Sequence, residues 1–169
     1  MNSLMDLLQE QVRDLYDAEI QYRAKLPDMI DRATHGGLRE TLLDISDDTS
    51  ETVDVLAMVC RGLGKEPSGV TCEAMRGLIR ETSETTRQNG DSATIDANLI
   101  ANAQRIVHYE IAGFGTAKAF AACLGKRDLA DMLSDLTTKA GEHDRLLTKI
   151  ATGGWFSTGI NQEAVKAAA

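Results

Sequence analysis

The sequence predicts an all-α fold, a four-helix bundle assembled from two helical hairpins. Apolar residues recur at i, i+3, i+4 and i+7 over four long segments, which is the spacing of one buried helix face. The 169 residues include only two prolines, and aromatic residues make up 4% of them, so alanine and leucine supply much of the apolar content. These residue types favour helices over strands. The length is typical of one domain with a substantial core.

The first predicted hairpin joins a helix over residues 3–33 to a helix over residues 38–62. Ser3 is a suitable N-cap for the first helix, and the glycine pair that follows His35 predicts its end. Pro27 lies inside this helix and is expected to kink it or to loosen one turn. Glycines and a proline after the second helix predict a break in the chain.

The second predicted hairpin joins helices over residues 95–124 and 128–152, and Gly125 suits the position just past the end of a helix. A crossover segment connects the two hairpins and carries a shorter predicted helix over residues 72–87. Two hairpins joined by a long crossover are the ferritin-like arrangement of four helices. The sequence therefore predicts a ferritin-like four-helix bundle with a short extra helix in the crossover.

The bundle is expected to occupy residues 1–152, followed by a loosely attached C-terminal tail over residues 153–169. Trp155 and Phe156 in this tail are apolar groups that need cover beyond the core of a small bundle. Their presence favours a homodimer.

Charge and composition argue against several classes of partner. A net charge of −8 with scattered Lys and Arg disfavours nucleic acid and an anionic membrane surface. No apolar run approaches the ~20 residues that a membrane span needs, and the acidic N-terminal segment does not resemble a secretory signal. Three widely spaced cysteines indicate reduced thiols rather than a disulfide framework or a zinc ribbon. We expect a cytoplasmic protein.

Ionisable residues interrupt the predicted buried faces near the middle of each long helix. Glu19 lies in register with the apolar residues of the first helix, and Glu110 with those of the third. His143 has the equivalent position in the fourth helix, and Asp48 is in register with Val55 in the second. Because burying an unpaired carboxylate is costly, each of these groups needs a proton, a cationic side chain or a metal.

A transition-metal site is one interpretation of this pattern. Carboxylates with an imidazole suit iron, manganese or zinc, and di-iron bundles take Glu from two helices and Glu-x-x-His from the other two. The ligand set here is incomplete, but its members lie on all four helices, and iron or manganese is the expected ion. The candidate metal ligands are Glu19, Asp48, Glu51, Glu110 and His143.

A buried ion-pair network is the second interpretation. Lys139 on the fourth helix is expected to lie close enough to neutralise Glu19 or Glu110. A lysine in place of a metal would give salt bridges with no chemistry. Register alone does not separate a metal ligand from an ion pair, so both interpretations stay open.

Five short segments carry a resemblance to a known family. They are 72–79 (CEAMRGLI) in the crossover, 96–104 (DANLIANAQ) and 108–116 (HYEIAGFGT) in the third helix, and 15–19 (LYDAE) and 26–27 (LP) in the first. In these segments the chain resembles the YciE/YciF group of bacterial ferritin-like proteins. The resemblance implies a ferritin-like bundle, homodimers and a link to stress responses.

The chain departs from the pattern of that group where a metal would bind. The group usually has Glu before its His-Tyr-Glu sequence, where this chain has Val107. A histidine common in the second helix is Thr52 here, and carboxylates usual in the fourth helix are Lys139 and Ala140. The resemblance therefore implies a site that differs from a standard di-metal centre.

Two functions stay open on the sequence alone. The first is a stress-associated ferritin-like protein that binds iron or manganese inside the bundle. The second is a metal-free dimeric scaffold or interaction protein with a degenerate site. The sequence does not decide whether the protein is an enzyme.

Overall fold

The computed structural model describes residues 1–154 and 157–167 and confirms the predicted ferritin-like, all-α fold. Its helices are α1 (Leu4–Arg32), α2 (Gly36–Gly62), α3 (Glu73–Arg87), α4 (Ser92–Cys123), α5 (Arg127–Thr152) and α6 (Ile160–Ala167). α1 packs with α2 and α4 with α5, and α3 lies in the crossover between these hairpins, as predicted. Among the described residues, no helix combines the length and the hydropathy that a membrane span requires. Trp155 and Phe156, on which the predicted homodimer partly rests, lie outside the described residues.

Side-chain caps determine where the helices of the first hairpin begin. Ser3 caps α1 through its hydroxyl oxygen, as predicted. α2 starts at Gly36, earlier than predicted, because Nδ1 of His35 accepts a hydrogen bond from the backbone N–H of Leu38 at 3.2 Å. The glycine pair therefore belongs to α2 rather than to the preceding turn. α1 continues through Pro27 as one helix.

The apolar core consists of two clusters with a polar layer between them. One cluster lies near the α1–α2 turn and contains Tyr22, Leu42, Leu99 and Leu147 among others. The other lies at the opposite end of the bundle and contains Leu8, Leu56, Phe114 and Leu133 among others. Along each of the four long helices, polar residues occur at or near the point where one cluster gives way to the other. We call these residues the middle layer: Glu19, Asp48, Thr49, Glu51, Thr52, Glu110, Lys139 and His143.

The described part of the C-terminal segment is packed onto the bundle rather than loosely attached. Strand β1 (Gly153–Gly154) pairs antiparallel with strand β2 (Ser157–Thr158), and α6 then packs against α4 and α5. Gly153 has a φ of 73°, a left-handed conformation that lets the chain turn back at the end of α5. Ile160 is 1% exposed and joins the core cluster near the α1–α2 turn. The expectation of a loosely attached tail is therefore corrected, because this side chain is buried against the bundle.

Candidate functional site

The structure divides the predicted metal ligands into two groups. Glu19 and Glu110 meet between α1 and α4, whereas Asp48, Glu51 and His143 gather between α2 and α5. Across residues 1–154 and 157–167, no three His, Cys, Asp or Glu side chains form a group that could hold a metal ion. The side chains expected to converge on one interior point therefore form two separate sites.

The first site is a buried pair of carboxyl groups. Glu19 is 1% exposed and Glu110 is 4% exposed, and the Glu19 carboxyl donates a hydrogen bond to Glu110. Within the described part of the chain, Oε1 of each glutamate has no hydrogen-bond partner. The hydroxyl of the fully buried Tyr22 also has none there. The α1–α4 interface thus carries three polar atoms whose hydrogen-bonding capacity is unused by the described residues.

Burial controls the protonation of this pair. Burial and then the charge of Glu110 raise the pKa of Glu19 well above its usual range. Burial also raises the pKa of Glu110 to about 8, although the hydrogen bond from Glu19 opposes that increase. Because two adjacent buried carboxyls cannot both ionise cheaply, the pair retains at least one proton at neutral pH. The shared proton provides the Glu19–Glu110 hydrogen bond.

The second site is centred on the Lys139 ammonium group. Its Nζ donates to Oδ1 of Asp48 at 2.7 Å and to Oε2 of Glu51 at 3.0 Å. Nε2 of His143 lies 2.8 Å from the other carboxylate oxygen of Asp48. The expectation that Lys139 neutralises Glu19 or Glu110 is corrected, because its ammonium is bound by the carboxylates of α2. The two hairpins are therefore linked by this ion pair across the α2–α5 interface.

Both members of the central ion pair are charged at neutral pH. Burial opposes ionisation of Asp48, but the hydrogen bonds from Lys139 and His143 outweigh it and hold the pKa of Asp48 below its usual range. The hydrogen bond to Asp48 raises the pKa of Lys139 against a smaller opposing effect of burial. Since the Lys139 side chain is 33% exposed, solvent screens the attraction and its contribution to stability is modest.

The residues of the middle layer do not fit a di-metal centre. Such a centre in a four-helix bundle takes four carboxylates and two imidazoles from the inward faces. Thr52, Val107 and Ala140 are buried at 6%, 0% and 3% exposure and supply neither a carboxylate nor an imidazole. The Thr52 hydroxyl donates to the backbone carbonyl of Asp48 at 2.9 Å. The interior positions that would complete the ligand set are thus apolar or already engaged.

A hydrogen-bond chain that the sequence reasoning missed fixes the crossover helix. Sγ of Cys72 caps α3 and lies 3.0 Å from the hydroxyl of Tyr109, which donates to Oδ2 of Asp14 at 2.6 Å. The backbone N–H of Cys72 donates to Oδ2 of Asp17 at 2.8 Å. Burial raises the pKa of the Cys72 thiol, although the Tyr109 hydrogen bond opposes the increase. In the sequence, the signal for this contact is the pair of aspartates three residues apart on α1, because side chains at this spacing share one helix face and both need polar partners.

Comparison with known proteins identifies the family. The family described as "Domain of unknown function (DUF892)" matches residues 3–165. The chain belongs to the DUF892 family. Protein YciF of Escherichia coli K12 is 31% identical over 159 residues, which cover 89% of this chain and 92% of that protein. The resemblance to the YciE/YciF group is thus confirmed.

Two solved structures of similar proteins share the fold. YcfI from Rhodopseudomonas palustris superposes with a TM-score of 0.85 at 37% identity, covering 89% of this chain and 96% of that one. The E. coli stress protein YciF also superposes with a TM-score of 0.85, at 28% identity, covering 88% of this chain and 94% of that one. Both proteins therefore share this architecture with the present chain over nearly their whole length.

Proposed function

We propose that this chain is a stress-associated helical-bundle protein that works as a homodimeric scaffold without a di-metal centre. The observation that carries the proposal is the Lys139 ammonium, which lies 2.7 Å from Asp48 and 3.0 Å from Glu51. The carboxylates of α2 are thus paired with a cation that belongs to the chain itself, the Lys139 ammonium group. The association with stress is taken from the E. coli relative, which is named a stress protein.

The rest of the middle layer supports the same proposal. The Glu19–Glu110 pair needs no metal when it keeps a proton, because the protonated carboxyl donates its own hydrogen bond. The protonated pair and the lysine ion pair thus satisfy the charges of the middle layer from within the chain. A bundle built in this way is a packing element rather than a reaction centre.

The proposed function includes self-association of the chain into a homodimer. Leu43 and Met58 are 49% and 50% exposed on α2, and helical spacing places them on the side opposite its buried stripe. These two side chains lie about four turns apart along α2, so a partner helix packed along this face would cover both of them. Light scattering of the full chain at micromolar concentration should give twice the mass of 18.3 kDa. A monomer mass at that concentration would contradict the dimer.

A single iron or manganese ion at Glu19 and Glu110 is the second candidate function. It is favoured by the two Oε1 atoms without partners among the described residues, since a cation would use both. The Tyr22 hydroxyl is available as a further oxygen donor to such an ion. In this case both carboxylates would be ionised, and their charge would be balanced by the metal rather than by a proton.

Elemental analysis separates the two candidates. The full chain is purified without an affinity tag or chelator and analysed for iron, manganese and zinc, and its melting temperature is then measured before and after prolonged chelation. The scaffold proposal predicts less than about 0.1 metal ion per chain and an unchanged melting temperature. Stoichiometric metal, with a lower melting temperature after chelation, would replace it with the second candidate.

A further inference from the structure

The outer face of α2 carries pairs of exposed residues that are placed symmetrically about one point of the helix. Their spacing alternates between three and four residues, so they share the side of α2 that lies away from its buried stripe. The pairs are Glu40 with Arg61, Leu43 with Met58, and Asp47 with Asp54. The midpoint of every pair falls between Ser50 and Glu51. Turning α2 end over end therefore exchanges the two members of each pair.

This face is not engaged by the described part of the chain. Within the bundle α2 packs against α1 and α5, which contact its other sides. Across residues 1–154 and 157–167, the four charged members of the pairs form no salt bridge. Leu43 and Met58 are about half exposed. The outer face of α2 thus presents apolar and charged groups together, in an order that repeats when the helix is reversed.

We propose that two copies of this chain dimerise by packing their α2 helices antiparallel, about a twofold axis at the common midpoint of the three pairs. The inference rests on the proposed function, because it gives the proposed homodimer its interface. In a twofold interface each contact between residues i and j occurs twice. Leu43 of each copy then packs against Met58 of the other, and Glu40 of each copy pairs with Arg61 of the other.

Charge complementarity favours the second copy as the occupant and sets its direction. Antiparallel packing brings the Glu40 carboxylate beside the Arg61 guanidinium at both ends of the interface. Parallel packing would bring each of these groups beside its own equivalent, and like charges repel. The two ion pairs lie about 32 Å apart along the helix, so the contact uses most of its length. Helices that cross at about 20° remain in contact over such a distance.

The centre of the interface carries a charge pattern of the opposite kind. Asp47 of each copy faces Asp54 of the other, which places four carboxylates around the twofold axis. Like charges directly opposite each other weaken association, and salt screens the repulsion. The apolar contacts and the outer ion pairs therefore hold the dimer, and removal of a central charge should tighten it.

Chemical cross-linking of engineered cysteines tests the predicted pairing. Cys123 is first replaced by serine, because it is exposed while the other two cysteines are buried. In this background Leu43→Cys and Met58→Cys are co-refolded as an equimolar mixture and treated with a short bis-maleimide. We expect a covalent dimer from the mixture but not from either variant alone, since equivalent positions on the two copies lie about 22 Å apart. Ser50→Cys, beside the axis, should cross-link with itself, and Glu84→Cys on the exposed face of α3 should not.

Charge reversal tests the outer ion pairs independently. Glu40→Arg or Arg61→Glu alone places like charges at both ends and should raise the dimer dissociation constant at least about fivefold. The double variant restores both pairs and should return the constant close to that of the wild type. Asp54→Asn should lower the constant about threefold, because the central repulsion decreases. Analytical ultracentrifugation of the full chain measures all four, with Glu84→Gln as the control that should change nothing.

The outcomes separate this interface from the homodimer itself. A dimer that gives no cross-link between Leu43→Cys and Met58→Cys, or that the double charge reversal does not restore, would overturn the α2 interface and leave the homodimer in place. Cross-linking of Leu43→Cys with itself would show parallel helices and would also overturn it. A monomer mass for the wild type at micromolar concentration is a different result, and it would contradict the proposed homodimer.

Discussion

The Glu19 carboxyl donates a hydrogen bond to the Glu110 carboxyl across the α1–α4 interface, and both side chains are more than nine-tenths buried. This hydrogen bond exists only while at least one of the two groups is protonated. Since the described residues around the pair offer no hydrogen bond to either Oε1 atom, ionisation of the pair is disfavoured. The protonation state of one buried pair thus contributes to holding α1 against α4.

The stability of the protein should therefore fall as the pH rises from about 5 to about 8. The ordinary pKa of a glutamate is 4.5. Below that pH, Glu110 is protonated in both the folded and the unfolded state and contributes nothing to the pH dependence. Between 4.5 and about 8 the folded state keeps a proton that the unfolded state has lost, so the free energy of unfolding decreases. The slope is roughly 1.4 kcal/mol per pH unit for each retained proton. Urea denaturation at pH 5, 6, 7 and 8 measures it.

Glu110→Gln should remove the Glu110 share of that pH dependence, so the slope falls by the contribution of one proton, and should raise stability at pH 8. The amide is neutral at every pH and still accepts a hydrogen bond from Glu19 through its carbonyl oxygen. Glu84→Gln on the exposed face of α3 is the matched control and should leave the slope unchanged. If a metal holds the pair instead, Glu110→Gln should lower the melting temperature and the metal content together. That outcome would contradict the shared-proton account.

Gly113→Ala should destabilise the bundle by about 1–3 kcal/mol. A Cβ atom at Gly113 would clash with Cδ2 of the buried Leu15, so the Leu15 side chain would have to move or α1 and α4 to separate near the buried pair. Gly115→Ala on the same helix meets nothing within 4 Å and should be neutral or stabilising by up to about 1 kcal/mol, because alanine favours a helix. Melting curves of the two variants make the comparison. Equal destabilisation by both substitutions would argue against close packing at Gly113.

Asp96→Ala should cost about 2–4 kcal/mol, more than the loss of an exposed helix cap. The Asp96 carboxylate is 1% exposed and accepts hydrogen bonds from the backbone N–H groups of Thr34 and His35 at 2.9 and 2.8 Å, and from the Thr34 hydroxyl at 2.6 Å. It therefore ties the α1–α2 turn to α4. Asp91→Ala removes the exposed N-cap of α4 and should cost only about 1 kcal/mol. Chemical denaturation of both variants tests the difference, and similar costs would contradict the assigned role of Asp96.

Helix positions and buried faces were predictable from the sequence because they depend on local spacing. Glu19 and Glu110 share the period of their apolar neighbours, and both proved to be buried. The start of α2 was less predictable, because the side chain of His35 caps a helix whose first residues are glycines. The local spacing of apolar residues thus predicted the helices, whereas a single side-chain hydrogen bond from the backbone of α2 to His35 determined where α2 begins.

The pairing of the middle-layer residues was not predictable from register. Lys139 and His143 are one turn apart on α5, and which carboxylates they reach depends on the crossing of α2 over α5 and on side-chain rotamers. The sequence placed Lys139 beside Glu19 or Glu110, whereas the structure places it on Asp48 and Glu51. The same limit applies to the contact between Cys72 and Tyr109, which joins the crossover to α4 across 37 residues of sequence.

Carbon-13 NMR of the glutamate side-chain carboxyls tests the shared-proton pair most directly. The wild type and Glu110→Gln are labelled on glutamate and titrated from pH 4 to pH 10 with untagged protein. The account predicts one carboxyl carbon that titrates near pH 8 in the wild type, and the loss of that titration in Glu110→Gln. It also predicts a second carboxyl, Glu19, that stays protonated throughout the neutral range. If every glutamate carboxyl is ionised by pH 6 in the folded protein, the pair shares no proton and the account is wrong.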